Sequence, residues 1–184
     1  MNVPLKYLNI YTTKTQAEQI NKIILSYIDT NWAKKSCIIT DATACIGGNS
    51  TLFCKDFYKV ICVEKENEIY TVLKSNTRDC LNCQCYNASY NYVKFLIRQN
   101  IIFIDPPWGG NEYKNKKNIK LYLDNVDVQK IINEMYNFTD FVVLKVPINF
   151  DINSLNDLFW YHRVHNITKY SRIIYNIIVF YKHI

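Results

Sequence analysis

Ser36-Cys37-Ile38-Ile39-Thr40-Asp41-Ala42-Thr43-Ala44-Cys45-Ile46-Gly47-Gly48-Asn49 decides the fold. Residues 36–40 form a short apolar run that ends in Asp41, the signature of a buried strand. Asn49 is a suitable cap for a helix running to about Phe57. The paired glycines between them let backbone pass close to a ligand with no Cβ in the way. The stretch therefore reads as strand, ligand loop and helix, the unit from which parallel sheets are built.

Working outward, the alternation continues. Upstream, residues 12–29 read as a helix with Ala17, Ile20, Ile23, Ile24 and Tyr27 on one side. Downstream, strands are expected at 59–63, 82–86, 101–104 and 141–146, the second of these weak on composition. Helices are expected at 67–76, 90–98 and, behind an Asp127 cap, up to Tyr136. Residues 105–124 read as a polar, lysine-rich loop. Residues 163–169 and 172–181 read as an antiparallel hairpin that closes the sheet. The expected fold is α/β, a mostly parallel seven-stranded sheet covered on both faces, in a single domain over 1–184. In such a sheet ligands bind beyond the carboxyl ends of the strands. Asp41, Glu64, Asn87, Asp105 and Pro147 all fall there.

Composition narrows the classes. The chain has 184 residues, 49% of them hydrophobic, and a formal charge of +6. It suits a folded domain with a modest preference for polyanions. No run of about 18 apolar residues is present, so no transmembrane helix is expected. Met1-Asn2-Val3-Pro4 has neither the basic nor the apolar region of a secretory leader. Seven cysteines at irregular spacing suit reduced thiols inside a cell, in nucleus or cytoplasm. Abundant Asn, Ile, Lys and Tyr read as AT-rich coding, as in a virus or parasite, and a viral origin would favour the cytoplasm. Only four glycines remain, as the pairs Gly47-Gly48 and Gly109-Gly110, so both loops have a reason to keep them.

The second pair closes the most informative motif, Asp105-Pro106-Pro107-Trp108-Gly109-Gly110. Two prolines after a buried strand fix an extended turn and remove two backbone donors, so its carbonyls face outward as acceptors. Asp105 adds a carboxylate and Trp108 a flat π-face. An exocyclic amine on a nucleic-acid base needs this set, because its lone pair is delocalised into the ring. Acceptors on its N–H bonds turn the lone pair outward, stacking fixes the ring plane, and Asp105 can take the proton released after transfer. In the earlier loop, Asp41, Thr43, Gly47, Gly48 and Asn49 are cofactor candidates. Glu64 follows about 20 residues on, at the spacing at which a carboxylate accepts ribose hydroxyls.

Asp105-Pro-Pro-Trp resembles the (Asn/Asp/Ser)-Pro-Pro-(Tyr/Phe/Trp) motif of class I Rossmann-like amino-methyltransferases. With Gly109, Gly110 and Tyr113 included, it is similar to that of the trimethylguanosine synthase family. Residues 41–49 are similar to that family's Asp-x-x-x-Gly-x-Gly-Gly-Asn. Pro147 with Asn149 is similar to its Pro-x-Asn, and residues 13–20 resemble its first helix start in position. The resemblance implies S-adenosylmethionine as cofactor, held by Asp41 and Glu64 with Asn87 near its adenine. It implies Asp105, Pro106 and Trp108 as catalytic residues on guanine N2 of a 7-methylguanosine RNA cap. An indole face prefers that cationic base by about 1–2 kcal/mol. Gly109, Gly110, Tyr113, Lys114, Lys116 and Asn149 would complete the substrate side, with Lys117 and Lys120 near the RNA backbone.

The sequence departs from the family at Cys45, which replaces a loop glycine, and at Asn87, where an acidic residue is common. Asp105 stands where several members have Ser. The chain starts almost at the first helix, so the family's N-terminal extension is expected to be largely absent, with a protein partner as one source of the missing cap-pocket elements. Two rival readings are an amino-methyltransferase on ribosomal or transfer RNA guanine N2 or on DNA adenine N6, and a non-catalytic RNA-binding subunit. Cys80-x-x-Cys83-x-Cys85 invites a zinc reading with distant His162 or His165. Cys83 and Cys85 share one face of a strand, so core packing is the preferred account and no metal is expected.

Overall fold

Continuous apolar strands, alternating with amphipathic helices, set the architecture of the chain. A computed structural model describes residues 3–4 and 11–182. Met1 and Asn2, on which the leader reading partly falls, lie outside the described residues. The strands are β1 (Ile38–Asp41), β2 (Lys59–Glu64), β3 (Cys83–Asn87), β4 (Ile101–Ile104), β5 (Tyr122–Leu123), β6 (Val126–Asp127), β7 (Phe141–Val146), β8 (Tyr161–Lys169) and β9 (Arg172–Tyr181). The α-helices are α1 (Lys14–Leu25), α2 (Thr30–Lys35), α3 (Ser50–Asp56), α4 (Asn67–Thr77), α5 (Tyr90–Val93) and α6 (Val128–Glu134).

Seven strands form one sheet in the order β3-β2-β1-β4-β7-β9-β8. The first five run parallel, and β9 lies antiparallel between β7 and β8. This is the mostly parallel sheet with a C-terminal antiparallel hairpin that the sequence implies. All four side chains of β4 are fully buried, as a central strand covered on both faces requires. Ile102 and Ile104 pack with Ile131 and Ile132 of α6 on one face. Ile101 and Phe103 pack with Ile20, Phe53 and Leu73 of α1, α3 and α4 on the other.

Most boundaries fall within two residues of expectation, and three places differ more. The expected helix over 12–29 ends at Leu25, and α2 follows. Asp29 is the reason: its side chain accepts from the Trp32 N–H and so caps a new helix rather than finishing the old one. The helix expected over 90–98 is a single turn, because Asn91 and Lys94 bond outward, to the Leu123 carbonyl and to Glu134. The loop over 105–124 contains a 3-10 turn at Gly110–Asn115 and leads into the β5–β6 hairpin. Asp124 and Asn125 form that hairpin's two-residue turn with φ of 50° and 63°, the left-handed pair such turns need. Among the described residues no helix is long and apolar enough to cross a membrane.

Candidate active site

The parallel strands deliver Asp41, Glu64, Asn87 and Asp105 to one edge of the sheet. In register, Glu64 stands beside Asn87 and Asp41 beside Phe103. A cavity of about 820 Å³ opens beyond this edge, with Thr43, Glu64, Asp105, Trp108 and Lys145 on its wall. The loop after β1 is stitched to both neighbouring strands. Ala42 N–H donates to Phe103 O at 2.9 Å and Ala44 N–H to Val63 O at 3.0 Å. Thr43 Oγ1 accepts from the Asp105 N–H at 2.8 Å, which fastens the two functional loops together.

The carboxylates differ in their surroundings. Glu64 accepts from the Cys45 N–H at 3.0 Å and the Glu66 N–H at 2.8 Å. Each oxygen keeps a further lone pair toward the cavity. Burial raises the Glu64 pKa against these hydrogen bonds. Asp41 lies beneath the cavity rather than on its wall and accepts from Ser50 Oγ at 2.6 Å. Burial pushes it up to about 7, with Asp105 and Glu64 adding repulsion. Burial likewise pushes the Cys45 thiol up to about 11, so it is a neutral wall and no nucleophile.

Two loop positions explain themselves through backbone geometry. Cys45 has φ of 49°, the left-handed conformation that favours glycine, at a strain on the order of 1–2 kcal/mol. A Cβ at Gly48 would stand 2.4 Å from the Thr12 carbonyl oxygen, so this glycine admits the chain before α1. Thr12 also accepts from Asn49 Nδ2 at 3.1 Å and from Lys145 Nζ at 3.3 Å. Residues 11 and 12 thereby dock across the loop, and Tyr11 joins the cavity wall. Gly47, Gly48, Asn49, Asn87 and Asn149 are not on that wall. Asn87 spends both amide hydrogens on the carbonyls of Glu64 and Lys65. Asn149 gives its own to the carbonyls of Tyr113 and Lys116, pinning the 3-10 turn.

The residue that sequence reasoning missed is Lys145. It lies within β7, is 8% exposed, and its Nζ is 2.7 Å from Asp105 Oδ2. The same ammonium stands 5.5 Å from the Trp108 ring centroid and 5.0 Å from that of Tyr175. A lysine inside the apolar run Phe141–Val146 was the available signal. Buried lysines are rare without a partner, and this one has a carboxylate and two π-faces. Trp108 also meets the Tyr113 ring edge-on at 5.3 Å.

An open groove of about 1130 Å³ adjoins the cavity. Lys65, Lys116, Lys117 and Lys120 line it, opposed by Asp124, which pairs with Lys65 at 2.7 Å. Pro107 and Trp108 line both spaces. Lys114 lies on the cavity side and Lys116 on the groove side, while Gly109 and Gly110 carry φ of 91° and 68° with open space around them. The tryptophan thus stands at the junction of a carboxylate-bearing cavity and a basic surface.

A family model described as RNA cap guanine-N2 methyltransferase matches residues 36–179. Protein L320 of Acanthamoeba polyphaga mimivirus is 32% identical over 179 residues, covering 83% of this chain and 68% of that protein. The fold is similar to that of the human methyltransferase 10 domain containing protein, with a TM-score of 0.72 at 11% identity over 98% of this chain and 87% of the other. It is also similar to a 16S rRNA N2 G1207 methyltransferase of T. thermophilus solved with AdoMet and guanosine. There the TM-score is 0.72 at 13% identity, over 96% of this chain and 45% of the other.

Proposed function

Because the chain belongs to the RNA cap guanine-N2 methyltransferase family, we propose that it methylates the exocyclic N2 of guanine in a 7-methylguanosine RNA cap. Its fold is the class I methyltransferase fold, and its cofactor is S-adenosylmethionine. The cavity suits that molecule: Glu64 keeps acceptor capacity for hydroxyls, and Val63, Ile69 and Ala88 supply apolar wall. When bound, the cofactor supplies an electrophilic methyl on sulfur.

One observation carries the substrate reading. Trp108 is shared by the cofactor cavity and the lysine-lined groove. A base stacked on it would reach the cavity while its phosphates met Lys116, Lys117 and Lys120. Asp105 is held in place by Lys145 and by Thr43, so its free oxygen is a fixed acceptor for a guanine N–H. Orienting that N–H would turn the N2 lone pair toward the cavity, and Asp105 would accept the N2 proton released on transfer. The Lys145 ammonium would disfavour a cationic base on the same indole, but the Asp105 carboxylate 2.7 Å away offsets its charge. A preference of about 1–2 kcal/mol for 7-methylguanine is therefore retained.

The test separates stacking from cofactor binding. Trp108→Ala is expected to lower methyl transfer to a 7-methylguanosine cap analogue by roughly 100-fold, the size of a lost base–aromatic stack. Calorimetric affinity for S-adenosylmethionine should stay within about threefold. Transfer retained at the wild-type rate would remove Trp108 from the proposal.

A further inference from the structure

Away from the cavity, cysteines from three elements converge on the face of the sheet covered by α3 and α4. The sulfurs of Cys62 on β2 and of Cys83 and Cys85 on β3 all lie within 4.8 Å of one another. Cys62 Sγ is 3.3 Å from Cys83 Sγ, which is 3.9 Å from Cys85 Sγ. The Cys54 thiol, from the last turn of α3, neighbours Cys83 and Cys80 but lies outside the 4.8 Å group of three, so as a fourth ligand it has to swing inward. Register explains the convergence: Cys62 pairs with Cys85 across the strands, and Cys83 lies two residues along on the same face. Asn82 donates to the carbonyls of Cys54 and Phe57, tying the end of α3 to the start of β3.

Sulfur-to-metal bonds of about 2.3 Å in a tetrahedral thiolate site place the sulfurs roughly 3.8 Å apart. The three sulfurs already approach that spacing, with no change of strand register. Packing alone is a weaker account of β3, the edge strand. Its residues read Cys-Gln-Cys-Tyr-Asn, and the two thiols are what it offers the interior, both only half-buried. That partial exposure gives an ion a path in. The distant histidines are not part of this cluster: His165 meets Tyr27 and His162 packs on Phe180, on β8 at the opposite edge.

We propose that Cys54, Cys62, Cys83 and Cys85 form a thiolate site for a thiophilic d10 cation of the zinc class. Occupied, the site clamps the edge strand to β2 and α3. It lies on the strands whose carboxyl ends carry Glu64 and Asn87, yet none of its residues lines the cavity.

The test uses the full, reduced chain, freed of metal by a chelator and titrated anaerobically with Co²⁺ and then Zn²⁺. One Co²⁺ per chain is expected, with thiolate charge-transfer absorption and the strong visible bands of tetrahedral cobalt, both bleached by Zn²⁺. Cys83→Ser should abolish them and Cys37→Ser, a buried thiol outside the cluster, should leave them intact. For a readout independent of any variant's folding, Zn²⁺ should slow alkylation of Cys83 and Cys85 in the unaltered protein at least tenfold. Absence of thiolate bands, or alkylation equally fast with and without Zn²⁺, would overturn the proposal.

Discussion

The chain keeps its four glycines in two loops, and the two pairs serve different ends. In the loop after β1, Gly48 meets the Thr12 backbone, while Gly47 combines a φ of 92° with close packing against Leu73 and Thr77. A second left-handed position beside them has gone to Cys45. In the loop after β4, a Cβ at Gly109 or Gly110 would meet nothing within 4 Å, so these two are needed for their positive φ rather than for space. The first loop is a closed seam that locks the segment before α1 against the sheet. The second is an open hinge that presents Trp108 to the groove. One residue type marks rigidity in one place and access in the other.

After Trp108→Ala, the largest effect should come from the pair that joins the two regions. Lys145→Met leaves Asp105 without its ammonium and Thr12 with Asn49 in place of two side-chain donors. We expect methyl transfer to fall at least tenfold, because the Asp105 carboxylate loses the ammonium that fixes it. Lys145→Arg should recover part of the rate. A wild-type rate in Lys145→Met would show that the pair does not act on Asp105 chemistry.

The glycine comparison itself can be broken by two substitutions measured by denaturant unfolding. Gly48→Ala must displace backbone at Thr12 and should cost about 2–3 kcal/mol. Gly110→Ala meets open space and should cost only about 1 kcal/mol, the strain of its φ of 68°. Equal losses would mean that the seam is no tighter than the hinge.

A smaller effect lies beneath the first loop. Asp41 has a folded pKa of about 7 because of burial, above its unfolded value of 3.8. The folded state therefore binds a proton that the unfolded state releases. The stability this contributes is complete below about pH 4 and is lost as pH rises through 7. Between pH 5 and 8 the wild type should lose about 2–3 kcal/mol more than Asp41→Asn, whose side chain does not titrate. Glu64, also raised, contributes the same sign in both proteins. Parallel pH curves for the two would show that Asp41 is ionised in the fold throughout.

Much of this arrangement is legible in the sequence because its signals are local. β4 and β7 are unbroken apolar runs, and their bounds coincide with expectation at Ile101–Ile104 and Phe141–Val146. The carboxyl-edge residues follow from strand ends alone. What is not legible depends on partners distant in sequence. Lys145 reads as an oddity until Asp105 and Trp108 are folded against it. Asn87 and Asn149 resemble ligand contacts, yet their amide hydrogens go to backbone carbonyls found only in three dimensions. The spacing of Cys80, Cys83 and Cys85 shows two sulfurs on one face, but Cys62 joins them only through register, 21 residues away from Cys83.

The central claim is tested most directly by methyl transfer from labelled S-adenosylmethionine, with a 7-methylguanosine cap analogue and an unmethylated cap analogue side by side. The account predicts label on guanine N2 of the 7-methylated cap, at a rate roughly 5- to 30-fold above the unmethylated one, the range of the cation–π preference at Trp108. Label on uncapped ribosomal or transfer RNA, or on DNA adenine, with neither cap modified while the cofactor binds, would contradict it.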